Sequence, residues 1–315
     1  MVIIDSESRL LNGNDSSLGN GLTPLRLGEI WVISRALPYG RAMPDVLTLD
    51  PFEVIDASKW DVVSEEPMGS KAKRWLLAPD GVRWLFKQVR LKEDASGALR
   101  VFGEDWSEKL AAEVAHAFGL AAARVQLAVR HGQRGALSRS ALPDEGHDLV
   151  HGNELLQRMD PAYDKARKRE VRGYNALVAN TDRHHENWAV VQPRSGPAWL
   201  SPSFDHATCL GFQETDERKT ALLGDANSVR MWVERGRSSH FEGKPTLQGL
   251  ALDAIHRVSP EVRICWRHRL ATLSEDRYWA TIGRVPVELM SQADRNFAFE
   301  IFRLNRGRLL QCLTT

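Results

Sequence analysis

Residues 177–191 read LVANTDRHHENWAVV, which sets Asp182, Arg183, His184, His185, Glu186 and Asn187 between two apolar runs. Side chains of these types allow three readings: a solvated loop, a metal site on the paired histidines, or a catalytic loop in which Asp182 and Asn187 act separately. The third corresponds to a definite chemistry. Phosphoryl transfer needs a carboxylate beside the attacking hydroxyl, oxygen ligands for magnesium, and positive charge on the phosphates. An aspartate followed five residues later by an asparagine supplies the first and part of the second. Another carboxylate must then reach the metal. A hairpin predicted over 187–200 runs into SPSFDHATCLGF, which delivers Asp205 between Phe204 and His206. The aspartate–asparagine spacing alone arises often by chance; helix, turn, hairpin and Phe-Asp in that order is a much narrower pattern. The plain alternative is that Asp182 and Asp205 cap turns and Asn187 satisfies backbone.

The phosphate grip must come from elsewhere in the chain. Lys87 lies inside the apolar stretch VRWLFKQV. Strand alternation puts Leu85, Lys87 and Val89 on one face and Trp84 and Phe86 on the other. A lysine among such neighbours is costly to bury unless paired; nucleotide phosphates and a helix carboxylate would pair it, with Leu85 beneath the adenine. The competing reading is an edge-strand lysine whose tip reaches water. Glu108 and Glu113 are both available as the helix carboxylate, on different faces of their helix. In MGSKAKRW, Gly69, Ser70, Lys71 and Lys73 precede a strand, and exposed amides with either lysine can cradle phosphate oxygens. A plain basic turn accounts for the same residues.

These residues need elements to hold them. Apolar alternation over 52–91 predicts strands, and APDG at 78–81 predicts the turn of a hairpin. Residues 106–120 predict a helix with Leu110, Val114 and Ala117 on one face and Gly119 as its stop. Residues 123–142 read as another hairpin. Residues 162–180 read as a helix with Val171, Tyr174 and Val178 on one side. From about 217 the pattern is helical, ending in 294–310. The first 25 residues are polar and read as a loose arm; 26–37 read as a strand or short helix.

Bulk properties narrow the function classes. At 315 residues, with 43% hydrophobic and 26% charged side chains, the chain is an ordinary globular one with a sizeable core. A net charge of +1 argues against nucleic acid or an anionic surface as the main partner. Scattered arginines, as in RKREVR and RLNRGR, fit amphipathic helix surfaces. Cys209, Cys265 and Cys312 fit no disulfide or zinc spacing, which together with a start that soon turns polar points to a reducing cytoplasm. No apolar window is long enough to predict a membrane helix. Adjacent histidines on a turn point apart, so a metal site on His184, His185 and His206 is the weaker reading. His184 is expected to brace the loop and His185 to be solvated.

With NTDRHHEN followed by SFDHATCLGF, and MGSKAKRW, FKQV and GEDWSEKLAAEVAHAFGL upstream, the chain resembles the HipA-like kinases, bacterial serine/threonine kinases distantly similar to phosphatidylinositol kinases. The resemblance spans roughly residues 55–215. It implies an α+β, two-lobed, protein-kinase-like fold: an arm over 1–50, partly disordered, a strand-rich N-lobe over 51–145, and a helical C-lobe over 146–315 carrying the catalytic loop and the metal-binding hairpin. It implies Asp182 as the catalytic aspartate, Lys87 as the phosphate lysine with Glu108 as its partner in preference to Glu113, and Asn187 and Asp205 as magnesium ligands. Gly69, Ser70, Lys71, Lys73 and Leu85 would line the nucleotide site, with Ser70 a position for autophosphorylation. The implied partners are ATP, magnesium, a protein with a serine or threonine acceptor, and an antitoxin-like regulator. Residues 1–50 are too short and polar for the extra N-terminal subdomain of typical toxin members. A lipid or small-molecule kinase on the same fold and a silent nucleotide-binding module are the alternatives.

Overall fold

The structure, a computed structural model, describes residues 2–3, 50–65, 73–93, 97, 99–164, 172–173, 176–238, 240–241 and 243–313. Apart from Val2–Ile3 and Asp50, the expected arm with its 26–37 segment lies outside the described residues, as do Gly69, Ser70, Lys71, Val171 and Tyr174. Val2–Ile3 pairs antiparallel with Arg172–Gly173.

Besides Val2–Ile3, eight strands precede residue 140 among the described residues: β1 (Val54–Asp56), β2 (Asp61–Glu65), β3 (Lys73–Leu77), β4 (Arg83–Gln88), β5 (Leu91–Glu93), β6 (Leu99–Val101), β7 (Val125–Arg130) and β8 (Gln133–Arg139). Six form one sheet in the order β1-β7-β8-β4-β3-β2, and β5 and β6 form a separate hairpin. The β3–β4 turn falls on APDG as its composition predicts: Ala78 N donates to the Val82 carbonyl, Gly81 N to the Ala78 carbonyl, and Val82 N to Asp80 Oδ1. β1 runs parallel to β7; the other pairs are antiparallel. β2 is the outer edge strand, exposed along its whole length and bulged between Val62 and Ser64.

Helix α1 (Glu104–Phe118) opens with Glu104 and Asp105 in its first turn, which complements the helix dipole. It stops at Gly119, whose φ of +81° is a left-handed cap that glycine adopts without strain. One side of the sheet buries Leu76, Phe86, Ala128 and Leu137. The other packs on α1, where Ala112 meets Val125 and Ala136. Lys87 is the ladder partner of Ala136, so it faces α1 as the alternation predicts.

Beyond residue 140 come β9 (His147–His151), α2 (Gly152–Met159), β10 (Ala189–Pro193) and β11 (Trp199–Leu200), then α3 (Asp216–Leu223), α4 (Ala226–Glu234), α5 (Leu247–His256), α6 (Pro260–Thr272), α7 (Glu275–Gly283) and α8 (Gln292–Cys312). The hairpin expected after residue 187 is β10–β11, and β9 joins it as a third strand. The largest core gathers Phe297, Ile301 and Phe302 of α8 around Leu177, Val178 and Leu210, with Trp106, Leu110 and Val114 of α1. α1 therefore belongs to both halves. Its Ser107 Oγ donates to the Cys209 carbonyl at 2.9 Å, pinning it to the segment just after Asp205. Among the described residues no helix is long and apolar enough to cross a membrane.

The helix expected over 162–180 is not formed by the described part of that segment: Arg172–Gly173 is a strand and Ala176–Ala179 a turn. The reason is tertiary. The Val178 carbonyl accepts from Leu210 N at 2.9 Å and the Leu177 carbonyl from Asn305 Nδ2 at 3.5 Å. Ala179 adopts φ +52°, which no helix accommodates. Apolar spacing put Val178 inward, and it is fully buried, but its backbone bonds go to other parts of the fold.

Candidate active site

The sheet, α1 and the loops that flank β10 and β11 enclose a cleft of about 240 Å³. Lys73, Leu85 and Lys87 line it from the sheet, Glu108 from α1, and Asp182, Asn187 and Asp205 from the loops. Seven of the residues expected to act together are thus on one surface. Lys73 reaches it because its Cα is the ladder partner of Lys87.

Lys87 is the electrostatic centre. Its Nζ donates to Glu108 Oε1 at 3.0 Å and to Asp205 Oδ1 at 2.8 Å. Lys87 and Glu108 are buried, at 9% and 1% side-chain exposure, while the Asp205 side chain is 33% exposed. Burial disfavours the ammonium, but the two carboxylates outweigh it and hold the lysine charged above its ordinary range. Glu113 points elsewhere and pairs with Lys109 at 2.7 Å. Helix geometry separates the two glutamates: Glu108 lies one turn from Ala112 on the sheet-facing side.

The loop bearing Asp182 is folded tightly on itself. Asp182 N donates to Asn180 Oδ1 at 3.1 Å, and Thr208 Oγ1 donates to the same oxygen at 2.9 Å. His185–Asn187 makes a single 3₁₀ turn, with Asn187 N donating to the His184 carbonyl at 2.9 Å. Asn187 Nδ2 donates to the Asp182 carbonyl at 3.2 Å, closing the loop and leaving Oδ1 as the amide's acceptor atom. Arg183, 3% exposed, clamps the loop to the segment before Asp205: Nη2 donates to Ser203 Oγ at 2.8 Å and Nη1 to the Phe204 carbonyl. Asp205 itself sits at φ +61°, a left-handed conformation that aspartate tolerates better than most residues.

One histidine departs from expectation. His185 is fully buried rather than solvated, and Tyr163 OH meets its Nδ1 at 2.8 Å. The turn is tight enough to drive its middle residue inward, where α2 starts against it: Gly152 N donates to the Trp188 carbonyl, and a Cβ at Gly152 would stand 2.5 Å from the His185 carbonyl. His184 Nδ1 accepts from Glu186 N at 3.3 Å, which braces the loop as expected. Among the described residues no group of three or more His, Cys, Asp or Glu is arranged to hold a metal ion. His206 is buried, and burial with the Arg183 charge keeps its imidazole well below ordinary histidine and therefore neutral.

Asp182 is half exposed, and its Oδ1 lies 2.8 Å from His240 Nε2. Burial pushes its carboxyl upward, but the His240 hydrogen bond and the neighbouring histidines outweigh this and hold it below ordinary aspartate. His240, Tyr163 and the contacts of Arg183 were not anticipated from sequence. Arg183 stood within the quoted turn; His240 lies 58 residues from Asp182, in a stretch without any motif.

No family model and no curated protein sequence matches the chain. Solved structures do. The Helicobacter pylori proinflammatory kinase CtkA is similar at a TM-score of 0.66 and 14% identity, over 83% of this chain and 96% of that one. HipA of the Shewanella oneidensis MR-1 HipA–HipB–operator complex is similar at a TM-score of 0.44 and 11% identity, over 88% and 73%. The golgi casein kinase is similar at 0.40 and 11%, over 82% and 75%. The last two superpose too loosely to carry an argument. The likeness to CtkA shows a kinase-like α+β fold, with a strand-rich sheet region and a helical C-terminal part.

Proposed function

We propose that this chain is an ATP- and magnesium-dependent serine/threonine kinase of the HipA-like type, its two lobes meeting near residue 145. One observation carries the reading: a buried lysine bound to a helix glutamate and to Asp205 faces the Asp182–Asn187 loop across one cleft. Lys87 offers charge-assisted donors to phosphate oxygens, and Glu108 keeps its ammonium aimed into the cleft. Leu85 supplies an apolar surface for the base. Asp182, held ionised, accepts a hydrogen bond from the acceptor hydroxyl. As the acceptor oxygen bonds to the γ-phosphorus, the bond to the β,γ-bridging oxygen breaks, its electron pair leaves with ADP, and Asp182 takes the hydroxyl proton.

The donor set suits magnesium. Asn187 Oδ1 and the Asp205 carboxylate are hard oxygen donors lining the same cleft, and the Asn187 amide is oriented by its bond to the Asp182 carbonyl. Magnesium, when bound, neutralises charge developing on the phosphate oxygens. Asp205 would exchange its contact with Lys87 for that role. No sulfur or paired-imidazole site competes for the ion among the described residues.

The test is incubation with γ-labelled ATP and magnesium, with and without cell lysate, followed by identification of the labelled residue and species. Phosphoserine or phosphothreonine from wild type, absent from Asp182→Asn, is the expected result. Label in a lipid or small-molecule fraction would keep transfer and change the acceptor class. No transfer and no magnesium-dependent ATP binding by the folded chain would overturn the proposal.

A further inference from the structure

His240 reaches Asp182 on a loop closed at its neck. Ser238 N donates to the Pro245 carbonyl at 3.1 Å and Leu247 N to the Gly236 carbonyl at 3.0 Å, while Arg237 and Thr246 form an isolated bridge. Arg237 Nη1 donates across the loop to the Lys244 carbonyl at 3.0 Å. Ser238 is fully buried, and its Oγ accepts from His240 N at 3.2 Å. Lys244, at φ +45°, and Gly243, at φ +74°, turn the chain back toward the neck. The His240 ring is 12% exposed and packs edge-on against His184 with centroids 5.0 Å apart. Asp182 lines the nucleotide cleft and His240 does not, so the imidazole approaches the carboxylate from outside that cleft.

We infer that His240 is a positioning residue for Asp182, an inference that rests on the reading of Asp182 as the group facing the acceptor hydroxyl. A carboxylate only accepts, so His240 Nε2–H donates to Oδ1. That bond commits one oxygen and fixes the side-chain torsion. The second oxygen, which has no partner among the described residues, is left for the acceptor. A half-exposed aspartate on a short turn would otherwise sample several rotamers, few of which point at an incoming hydroxyl. The neck bonds make the histidine's position a property of the fold, and the loop joins α4 to α5, so the aim of Asp182 is set by the helical half and independently of nucleotide contacts.

The experiment compares wild type, His240→Ala, His240→Gln and Asp182→Asn in steady-state transfer from ATP, with dephosphorylated casein and the chain itself as acceptors. Thermal melting accompanies each, and His240→Leu replaces the alanine variant should that one not fold. His240→Ala is expected to lower kcat about 10-fold or more, part of the 10²–10⁴-fold that a general base or orienting group contributes, with KM for ATP within about twofold. His240→Gln, which retains an N–H donor, should recover several-fold over alanine. A mere loop latch would shift the melting temperature and leave kcat in place. The inference is overturned by kcat in His240→Ala within twofold of wild type, by a change confined to KM for ATP, or by glutamine doing no better than alanine. Wild-type transfer that survives in Asp182→Asn would instead overturn the role of Asp182 itself.

Discussion

Replacing Lys87 with methionine separates the lysine's contribution to folding from its contribution to nucleotide binding. Methionine keeps the apolar stem and removes the charge, which strands Glu108 at 1% exposure and Asp205 at 33%. The two losses are unequal. Asp205 is a third exposed and water compensates it, so its share is within about 1 kcal/mol. Glu108 is sealed. Removing one partner of a buried pair costs about 3–5 kcal/mol. Lys87→Met should therefore lose about 3–5 kcal/mol at pH 7, or roughly 5–8 °C in melting temperature. Adding Glu108→Leu removes the stranded group and should restore most of the stability at pH 7, while magnesium-dependent ATP binding stays lost in both variants. Urea unfolding at pH 7, with nucleotide titration, reads all of these. A Lys87→Met protein within 1 kcal/mol of wild type at pH 7, or a double variant no more stable than the single one, would refute the buried pair as the organising contact.

Three further outcomes follow from the geometry. Asp182→Asn should retain most ATP affinity and lose about 10²–10⁴-fold in transfer, whereas Asn187→Ala should weaken magnesium-dependent ATP binding itself; equal effects on binding would merge the two roles. His185→Ala should destabilise the fold by about 2–4 kcal/mol, because the ring is fully buried against Tyr163, and a melting temperature unchanged from wild type would contradict that burial. Native-state alkylation should label exposed Cys265 and spare Cys209, whose thiol burial pushes up to about 12 despite a hydrogen bond with Ser107; mass spectrometry showing comparable labelling at the two sites would refute this.

How far the sequence reached depended on the range of the interactions. Lys87 showed itself because a strand alternates strictly, so one charged position in an apolar run has a definite face. Asp182, Asn187 and Asp205 were readable because the turn and hairpin that space them are local. Spacing alone left Glu108 and Glu113 open; the family resemblance favoured Glu108, and helix packing, with Ala112 against the sheet, places it on Lys87. His240 and Tyr163 were out of reach, since each meets its partner through a loop whose course depends on the whole helical half. The described part of 162–180 departs from the expected helix for a related reason: apolar spacing reported which side chains go inward, and the destination of the Leu177 and Val178 carbonyls is written in residues 210 and 305.

The edge strand β2 bears on how this molecule behaves at high concentration. Among the described residues no strand pairs with its outer side, which presents backbone donors and acceptors to a neighbouring copy, and Val62 and Val63 are 47% and 44% exposed. A flat apolar edge of that kind templates association between chains. Three features oppose it here: Asp61 at one end, Glu65 at the other, and the bulge between Val62 and Ser64 that breaks the regular spacing of the backbone groups. Resistance to that pairing then rests on two carboxylates and one irregularity. Asp61→Val with Glu65→Val would convert DVVSE into VVVSV, a continuous β-prone run, and light scattering would register the change as aggregation while a freshly purified sample still bound nucleotide.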